Sequence, residues 1–146
     1  MEIPVKKLRE NAKIPLSGSE YAAGYDLYAC TGSGETVIAP HTTVMIGTGL
    51  ACAVPPGYFG ALFARSGLAA KEGLRPANCV GVLDSDYRGE IMIALHNDSS
   101  LERTVRDGER IAQMVVMPYL AVSFSPVSEL EETGRGAGGF GHTGKE

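Results

Sequence analysis

The sequence predicts an all-β fold, in the class of sandwiches, jelly rolls and small barrels, and three observations support this. The chain of 146 residues contains 19 glycines and 8 prolines, which interrupt it every few residues. Short runs rich in Val, Ile, Thr, Phe and Tyr lie between the interruptions. Apolar residues at helical spacing are almost absent. Many short strands with frequent turns are typical of these folds.

The strand segments follow one another closely. We expect strands over residues 42–46 and 50–54, a turn at 55–57, and a further strand over 58–63. The best helix candidate runs from Ser66 to Glu72, with Ser66 as its cap and Gly73 as its end. Residues 79–95 are interpreted as a hairpin, with arms 79–83 and 90–95 joined by the polar segment 84–89.

The chain length fits one domain, which we expect over residues 1–133. Residues 134–144 include six glycines. Such a segment loses much conformational entropy on ordering and cannot build a core. Residues 134–146 are therefore expected to form a flexible arm. The cation of Arg135 and the ring of Phe140 suit an arm that orders over a ligand.

Composition excludes several classes of function. The net charge is −4, without a basic block, so a nucleic acid polymer is not the expected partner. No apolar run is long enough to span a membrane, and the N-terminus lacks a signal-peptide core, so we expect a cytoplasmic protein. The three cysteines, Cys30, Cys52 and Cys79, are expected to be reduced, buried thiols.

Two groups of residues are candidates for chemistry, and each has a simpler alternative. Arg65-Ser66-Gly67 follows a strand, where backbone amides, a guanidinium and a hydroxyl could hold a phosphate, or it is a capped helix start with a surface arginine. Asp84 and Asp86, with Asp26 far upstream, are carboxylates that could hold Mg²⁺ through water or deprotonate a water, or they are turn residues that cap their own backbone. Arg110 and Gln113 are the polar exceptions in a later strand, a pattern that by itself favours solvent-facing residues.

Taken together and in order, five segments resemble the motifs of the homotrimeric dUTP pyrophosphatase (dUTPase) family. They are AAGYDL (22–27), ARSGL (64–68), GVLDSDYRG (81–89), GERIAQ (108–113) and RGAGGFGHTG (135–144). The resemblance covers nearly the whole chain, and the third and fifth segments are the most specific. His142 departs from the pattern, since serine is frequent there.

The resemblance implies a distorted jelly-roll or β-clip barrel, assembled as a trimer with three sites shared between chains. It implies Mg²⁺-dependent attack of water on the α-phosphate of dUTP, releasing dUMP and pyrophosphate. This reaction keeps uracil out of DNA and supplies dUMP for thymidylate synthesis. By resemblance, Asp84 activates the water, Tyr87 stacks beneath C2′ of the deoxyribose, and Asp26 holds metal-bound water.

The resemblance assigns the remaining contacts in three groups. The phosphates contact Arg65, Ser66, Gly67 and Gln113. The uracil pocket is lined by Asn78, Gly81, Val82, Leu83 and Met92. The arm supplies Phe140 over the uracil face and a clamp on the γ-phosphate formed by Arg135, Gly141, His142 and Thr143.

Two alternatives remain open from the sequence. One is a dCTP deaminase of the same superfamily, against which the segment 84–87 and the Gly-Phe-Gly arm argue. The other is a non-catalytic trimer that senses nucleotides, although such a protein would not need both the turn carboxylate and the arm. Ammonia release would favour the first alternative, and dUTP binding without pyrophosphate release would favour the second.

Overall fold

The computed structural model describes residues 1–32 and 34–139, and within them it confirms the all-β prediction. One helix, α1 (Ser66–Glu72), accompanies twelve strands in the described residues. The strands are β1 (Val5–Lys7), β2 (Leu16–Ser17), β3 (Tyr25–Tyr28), β4 (Glu35–Ile38), β5 (Thr43–Gly47), β6 (Leu50–Cys52), β7 (Tyr58–Phe63), β8 (Leu74–Pro76), β9 (Gly81–Leu83), β10 (Met92–Asn97), β11 (Arg103–Arg106) and β12 (Arg110–Pro118).

The strands form antiparallel sheets in which most neighbours are distant in sequence. The largest sheet has the order β2-β3-β12-β7-β9, and a second has the order β5-β10-β8. Two-stranded pairs, β1-β6 and β11-β4, complete the described part of the chain. Long connections between stacked sheets are characteristic of a jelly roll, here a distorted one, as the sequence led us to expect.

The core lies between the sheets. Leu27 of β3, Ile38 of β4, Leu50 of β6 and Leu95 of β10 are all 0% exposed. They belong to one continuous cluster of buried apolar side chains. Removing this surface from water is the main favourable contribution to folding and holds the sheets face to face.

The helix α1 has the predicted bounds but a different cap. Arg65 is the N-cap residue, in extended conformation and without a side-chain capping bond, so Ser66 is the first helical residue and its predicted role as cap is wrong. Gly73 ends the helix in the left-handed conformation at φ 71°, as predicted. No helix in the described ranges is long and apolar enough to cross a membrane.

The hairpin predicted over residues 79–95 does not form. β9 pairs with β7, whereas β10 pairs with β5 and β8, so the two arms belong to different sheets. β10 makes a five-residue register with β5, from Met92 to His96, which pairing with the three-residue β9 could not equal. The connection between β9 and β10 therefore crosses from one sheet to the other.

The cysteine prediction holds for two positions. All three thiols are free, and Cys30 and Cys52 are buried. Cys79 is exposed, which corrects the expectation of a buried thiol. It lies in the connection from β8 to β9 at a positive φ of 62°, outside the strands whose side chains form the core.

A buried amide joins three parts of the fold. Asn97 at the end of β10 is 0% exposed, and its Nδ2 donates to the carbonyl oxygens of Ile38 and Leu101 at 3.0 and 2.8 Å. Its Oδ1 accepts hydrogen bonds from the amide and the hydroxyl of Ser99. Every polar atom of the Asn97 amide group is therefore paired, as burial requires.

We expect Asn97→Leu to lower the free energy of unfolding by roughly 3 kcal/mol, because the buried carbonyl oxygen of Ile38 loses its amide donor and the Ser99 amide loses its acceptor. Thermal unfolding measures the change. Ser100→Ala, at an exposed position in the same loop, is the control and should leave the melting temperature nearly unchanged. Equal melting temperatures for Asn97→Leu and the wild type would contradict this account.

Candidate functional site

The strand β12 aligns three of the sequence segments in one row. Gln113 lies opposite Asp26 of β3 on one side and opposite Phe63 of β7 on the other. Phe63 leads through Ala64 directly to Arg65. Residues opposite each other on neighbouring strands share a face of the sheet, so the pairing register brings together segments that are far apart in the chain.

An irregularity in β12 brings Arg110, which the sequence pattern favoured as a solvent-facing residue, into the site. The register with β3 shifts between Arg110 and Ala112, leaving Ile111 as an extra residue. Strict alternation would place Arg110 and Gln113 on opposite faces, but the bulge puts both on the same cleft. The sequence signal for the bulge is that two apolar residues, Ile111 and Ala112, stand next to each other and so break the alternation of a regular strand. Both are buried.

Asp26 pairs with two guanidinium groups. Its Oδ1 accepts from Nε of Arg65 at 2.8 Å, and its Oδ2 accepts from Nη1 of Arg110 at 3.2 Å. The Asp26 side chain is only 13% exposed, whereas Arg65 and Arg110 are 29% and 51% exposed. The carboxylate therefore lies beneath two cations that keep part of their surface open to the cleft.

This cleft has a volume of about 480 Å³ and is suited to an anion. Gln113 lines it and donates from Nε2 to the carbonyl oxygen of Ala64 at 2.9 Å. A Cβ at Gly24 would collide with the Gln113 amide, so a larger residue there would force that amide to move. Ser66 and Gly67 also line the cleft and are exposed, and a Cβ at Gly67 would meet open space.

A second cleft, of about 200 Å³, lies along β9. β9 is the outer strand of its sheet in the described structure and pairs only through the side that faces β7. Gly81 packs so closely on Leu62 that a Cβ would approach the leucine side chain to 3.1 Å. Because the hairpin does not form, the free edge of β9 presents backbone groups to this cleft.

The connection after β9 places a free carboxylate at the cleft. The turn is closed by the backbone, with Tyr87 N donating to the carbonyl oxygen of Asp84 at 3.2 Å. The Asp84 side chain is exposed and makes no hydrogen bond or ion pair to any residue in the described ranges. Arg88 donates to the carbonyl oxygens of Ser85 and Tyr87, at 2.7 and 2.8 Å, and braces the turn through them.

The predicted site residues thus fall into two groups in a single chain. The first cleft contains Asp26, Arg65, Ser66, Gly67 and Gln113. The second contains Asn78, Gly81, Val82, Leu83, Asp84, Tyr87 and Met92. Arg135 lines neither cleft and donates to the carbonyl oxygen of Gly138. The predicted arm residues Phe140, Gly141, His142 and Thr143 lie outside the described residues.

The Asp26 carboxylate is suited to hold a metal ion through a water molecule and not by direct coordination. No cluster of three or more His, Cys, Asp or Glu side chains that could hold a metal occurs among residues 1–32 and 34–139. Both oxygens of Asp26 already accept from guanidinium groups, but each keeps a lone pair for a metal-bound water. Most ligands of an Mg²⁺ ion would therefore have to come from a bound phosphate chain and water.

Comparison with known proteins gives a consistent result. The dUTPase family model matches residues 10–144. The chain is 45% identical over 142 residues to a deoxyuridine 5'-triphosphate nucleotidohydrolase of Syntrophotalea carbinolica, covering 97% of this chain and 96% of that protein.

Solved structures agree with the sequence relatives. A point mutant of Staphylococcus bacteriophage 80alpha dUTPase with dUpNHpp is similar at a TM-score of 0.87, with 28% identity over 98% of each chain. A mutant dUTPase from phage phi11 of S. aureus, described with a structural Mg(II) ion, has a TM-score of 0.80 and 25% identity over 90% of this chain and all of that one. This chain belongs to the dUTPase family.

Proposed function

We propose that this protein hydrolyses dUTP to dUMP and pyrophosphate. The observation that carries the proposal is the position of Asp84, an exposed carboxylate with no partner among the described residues, at the end of a strand whose free edge lines a small cleft. The test is release of pyrophosphate from dUTP in the presence of Mg²⁺. The names of the relatives favour this activity over deamination of dCTP and over nucleotide sensing without turnover.

The cleft along β9 receives the uracil base in this proposal. The backbone of an outer strand offers a fixed order of donors and acceptors, as it would to a neighbouring strand. Cytosine presents a different order and would leave buried groups unpaired, which gives discrimination on the order of 10⁴ or more. Asn78, Leu83 and Met92 form the surrounding walls, and the absence of a side chain at Gly81 lets the base approach the backbone.

Asp84 acts as the general base. A carboxylate free of other partners can accept the proton of a water molecule as that water attacks the α-phosphorus. The P–O bond to the bridging oxygen then breaks, and pyrophosphate leaves with the electron pair. Tyr87 lies three residues further along the same turn, where its ring packs beneath C2′ and leaves no space for a ribose hydroxyl.

The first cleft binds the triphosphate. Arg65 and Arg110 are held over Asp26, so their charges are oriented before the ligand arrives. At an effective dielectric constant near 20, a charge pair separated by ~4 Å attracts by roughly 4 kcal/mol before desolvation. Ser66, Gly67 and Gln113 supply further polar contacts. A Mg²⁺ ion bound to the phosphate oxygens would neutralise part of the ligand's charge, with Asp26 accepting from its water.

A trimer accounts for the separation of the two clefts, because the phosphate cleft of one chain can face the uracil cleft of a neighbour. The C-terminal segment supports assembly. After Tyr119 the described chain has no helix or strand, and it exposes Leu120, Phe124 and Leu130 by 88%, 94% and 86%. Such apolar exposure is typical of a surface that another chain covers. Residues 134–146 then serve as an arm that closes a site formed by the neighbours.

Asp84→Asn tests the general base. We expect kcat to fall by about 10³-fold or more, while the affinity for a non-hydrolysable dUTP analogue changes little, because the amide keeps the shape but cannot accept the proton. Asp86→Asn, in the same turn, is the matched control and should stay close to wild type. Near-normal turnover by Asp84→Asn would remove Asp84 from this role.

Arg110→Gln tests the residue that the bulge brings into the phosphate cleft. We expect KM for dUTP to rise about tenfold, because one of two oriented charges is lost. Arg106→Gln, an exposed arginine of β11 that pairs with Glu35, controls for the change in net charge. An unchanged KM for Arg110→Gln, measured at low salt, would exclude Arg110 from phosphate binding.

Deletion of residues 134–146 tests the arm. We expect light scattering to show a trimer of 15.4-kDa chains for the full-length protein and a trimer for the truncated one. Turnover of the truncated protein should fall by about a hundredfold, because the site is no longer closed and completed. Removal of residues 145–146 alone is the control. Full kcat after the longer deletion would show that the arm is not needed.

A further inference from the structure

The N-terminal segment is tied to the turn of the uracil cleft by a bidentate ion pair. Nη1 of Arg9 lies 2.9 Å from Oε1 of Glu90, and Nη2 donates to Oε2, also at 2.9 Å. These two residues are 81 positions apart in the sequence. Glu90 lines the cleft together with Asp84 and Tyr87.

Both partners of this pair are also bound to backbone. Nη1 of Arg9 donates to the carbonyl oxygen of Cys30 at 2.9 Å, and Oε1 of Glu90 accepts from the amide of Gly49 at 2.8 Å. A side chain at Gly47 would collide with the Glu90 carboxylate, so β5 leaves a space that the carboxylate fills. An isolated surface pair contributes little, but one hydrogen bond and a second close N–O contact between anchored groups fix the position of Glu90.

Tyr87 depends on Glu90 for its orientation. The Tyr87 hydroxyl donates to the backbone carbonyl oxygen of Glu90 at 3.1 Å. The ring lies so close to Gly89 that a Cβ there would overlap the phenol. Tyr87 is 45% exposed, and within the described residues the Glu90 carbonyl oxygen is the hydrogen-bond partner that holds its hydroxyl in place.

We propose that the Arg9–Glu90 pair is a positioning device that sets the angle of the Tyr87 ring and so the selection of deoxyribonucleotides over ribonucleotides. Arg9 contacts no nucleotide in this scheme and acts through the Glu90 backbone and the Tyr87 hydroxyl. The inference rests on the proposed function, in which the Tyr87 ring packs beneath C2′. Loosening the pair would let the ring tilt and admit a 2′-hydroxyl.

The experiment compares kcat/KM for dUTP and for UTP in wild type, Arg9→Gln and Glu90→Gln. We expect the dUTP:UTP ratio to fall about tenfold in both variants, mainly through faster UTP hydrolysis. Arg9→Lys keeps the positive charge but cannot contact both carboxylate oxygens of Glu90 as the guanidinium does, so it should restore part of the ratio. Glu35→Gln, which breaks an exposed ion pair between β4 and β11, is the matched control and should keep the wild-type ratio.

A double-mutant cycle separates positioning from loss of stability. Tyr87→Phe removes the hydroxyl bond to Glu90 and should lower the ratio to a similar extent. Addition of Arg9→Gln to Tyr87→Phe should then change the ratio no further, because the connection is already broken. A merely structural role would lower kcat/KM for both nucleotides equally and leave the ratio unchanged.

The outcomes are distinguishable. If wild type hydrolyses dUTP selectively and both Arg9→Gln and Glu90→Gln keep that selectivity, the positioning inference is overturned and the proposed function stands. If wild type does not hydrolyse dUTP, the proposed function itself fails. Should Arg9→Gln not fold, Glu90→Gln and the Tyr87→Phe comparison still decide the question.

Discussion

The pairing of β12 on both sides is the constraint on which the candidate site depends. This nine-residue strand lies between β3 and β7, and its register places Gln113 beside Asp26 and Phe63 at once. A slip of one residue would turn Gln113 to the opposite face and separate it from Asp26. The buried side chains of Ile111, Ala112 and Met114 hold the register, because a slip would also expose them to water.

Within this frame, an acidic protein presents two cations in one cleft through local compensation, and we propose that this cleft binds a polyanion. The net charge is −4, yet Arg65 and Arg110 converge on one largely buried carboxylate, Asp26. The carboxylate balances the guanidinium groups while the cleft is empty and orients them, so less side-chain entropy is lost on binding. The same residue that resembles a metal-water ligand therefore also organises the cations.

The connection between β9 and β10 shows how the second cleft arises. Its ends lie in different sheets, so β9 keeps one free edge within the described structure. The turn is held by backbone bonds, by Arg88 and by the anchored Glu90, and none of these contacts occupies the Asp84 carboxylate. The architecture therefore leaves the Asp84 carboxylate exposed on a turn that other contacts hold in place.

The sequence by itself determined the fold class, the helix over residues 66–72, its end at Gly73 and the order of the family motifs, because turn residues and short apolar runs are local signals. Only the tertiary structure decided that residues 79–95 do not pair with each other, that Cys79 is exposed and that Arg110 shares a cleft with Gln113. The competition of strands for the same neighbour determines the pairing partners and the β-bulge. It also determines contacts across 81 positions, such as that of Arg9 with Glu90. That competition is decided by burial in the assembled core, which local sequence patterns do not encode.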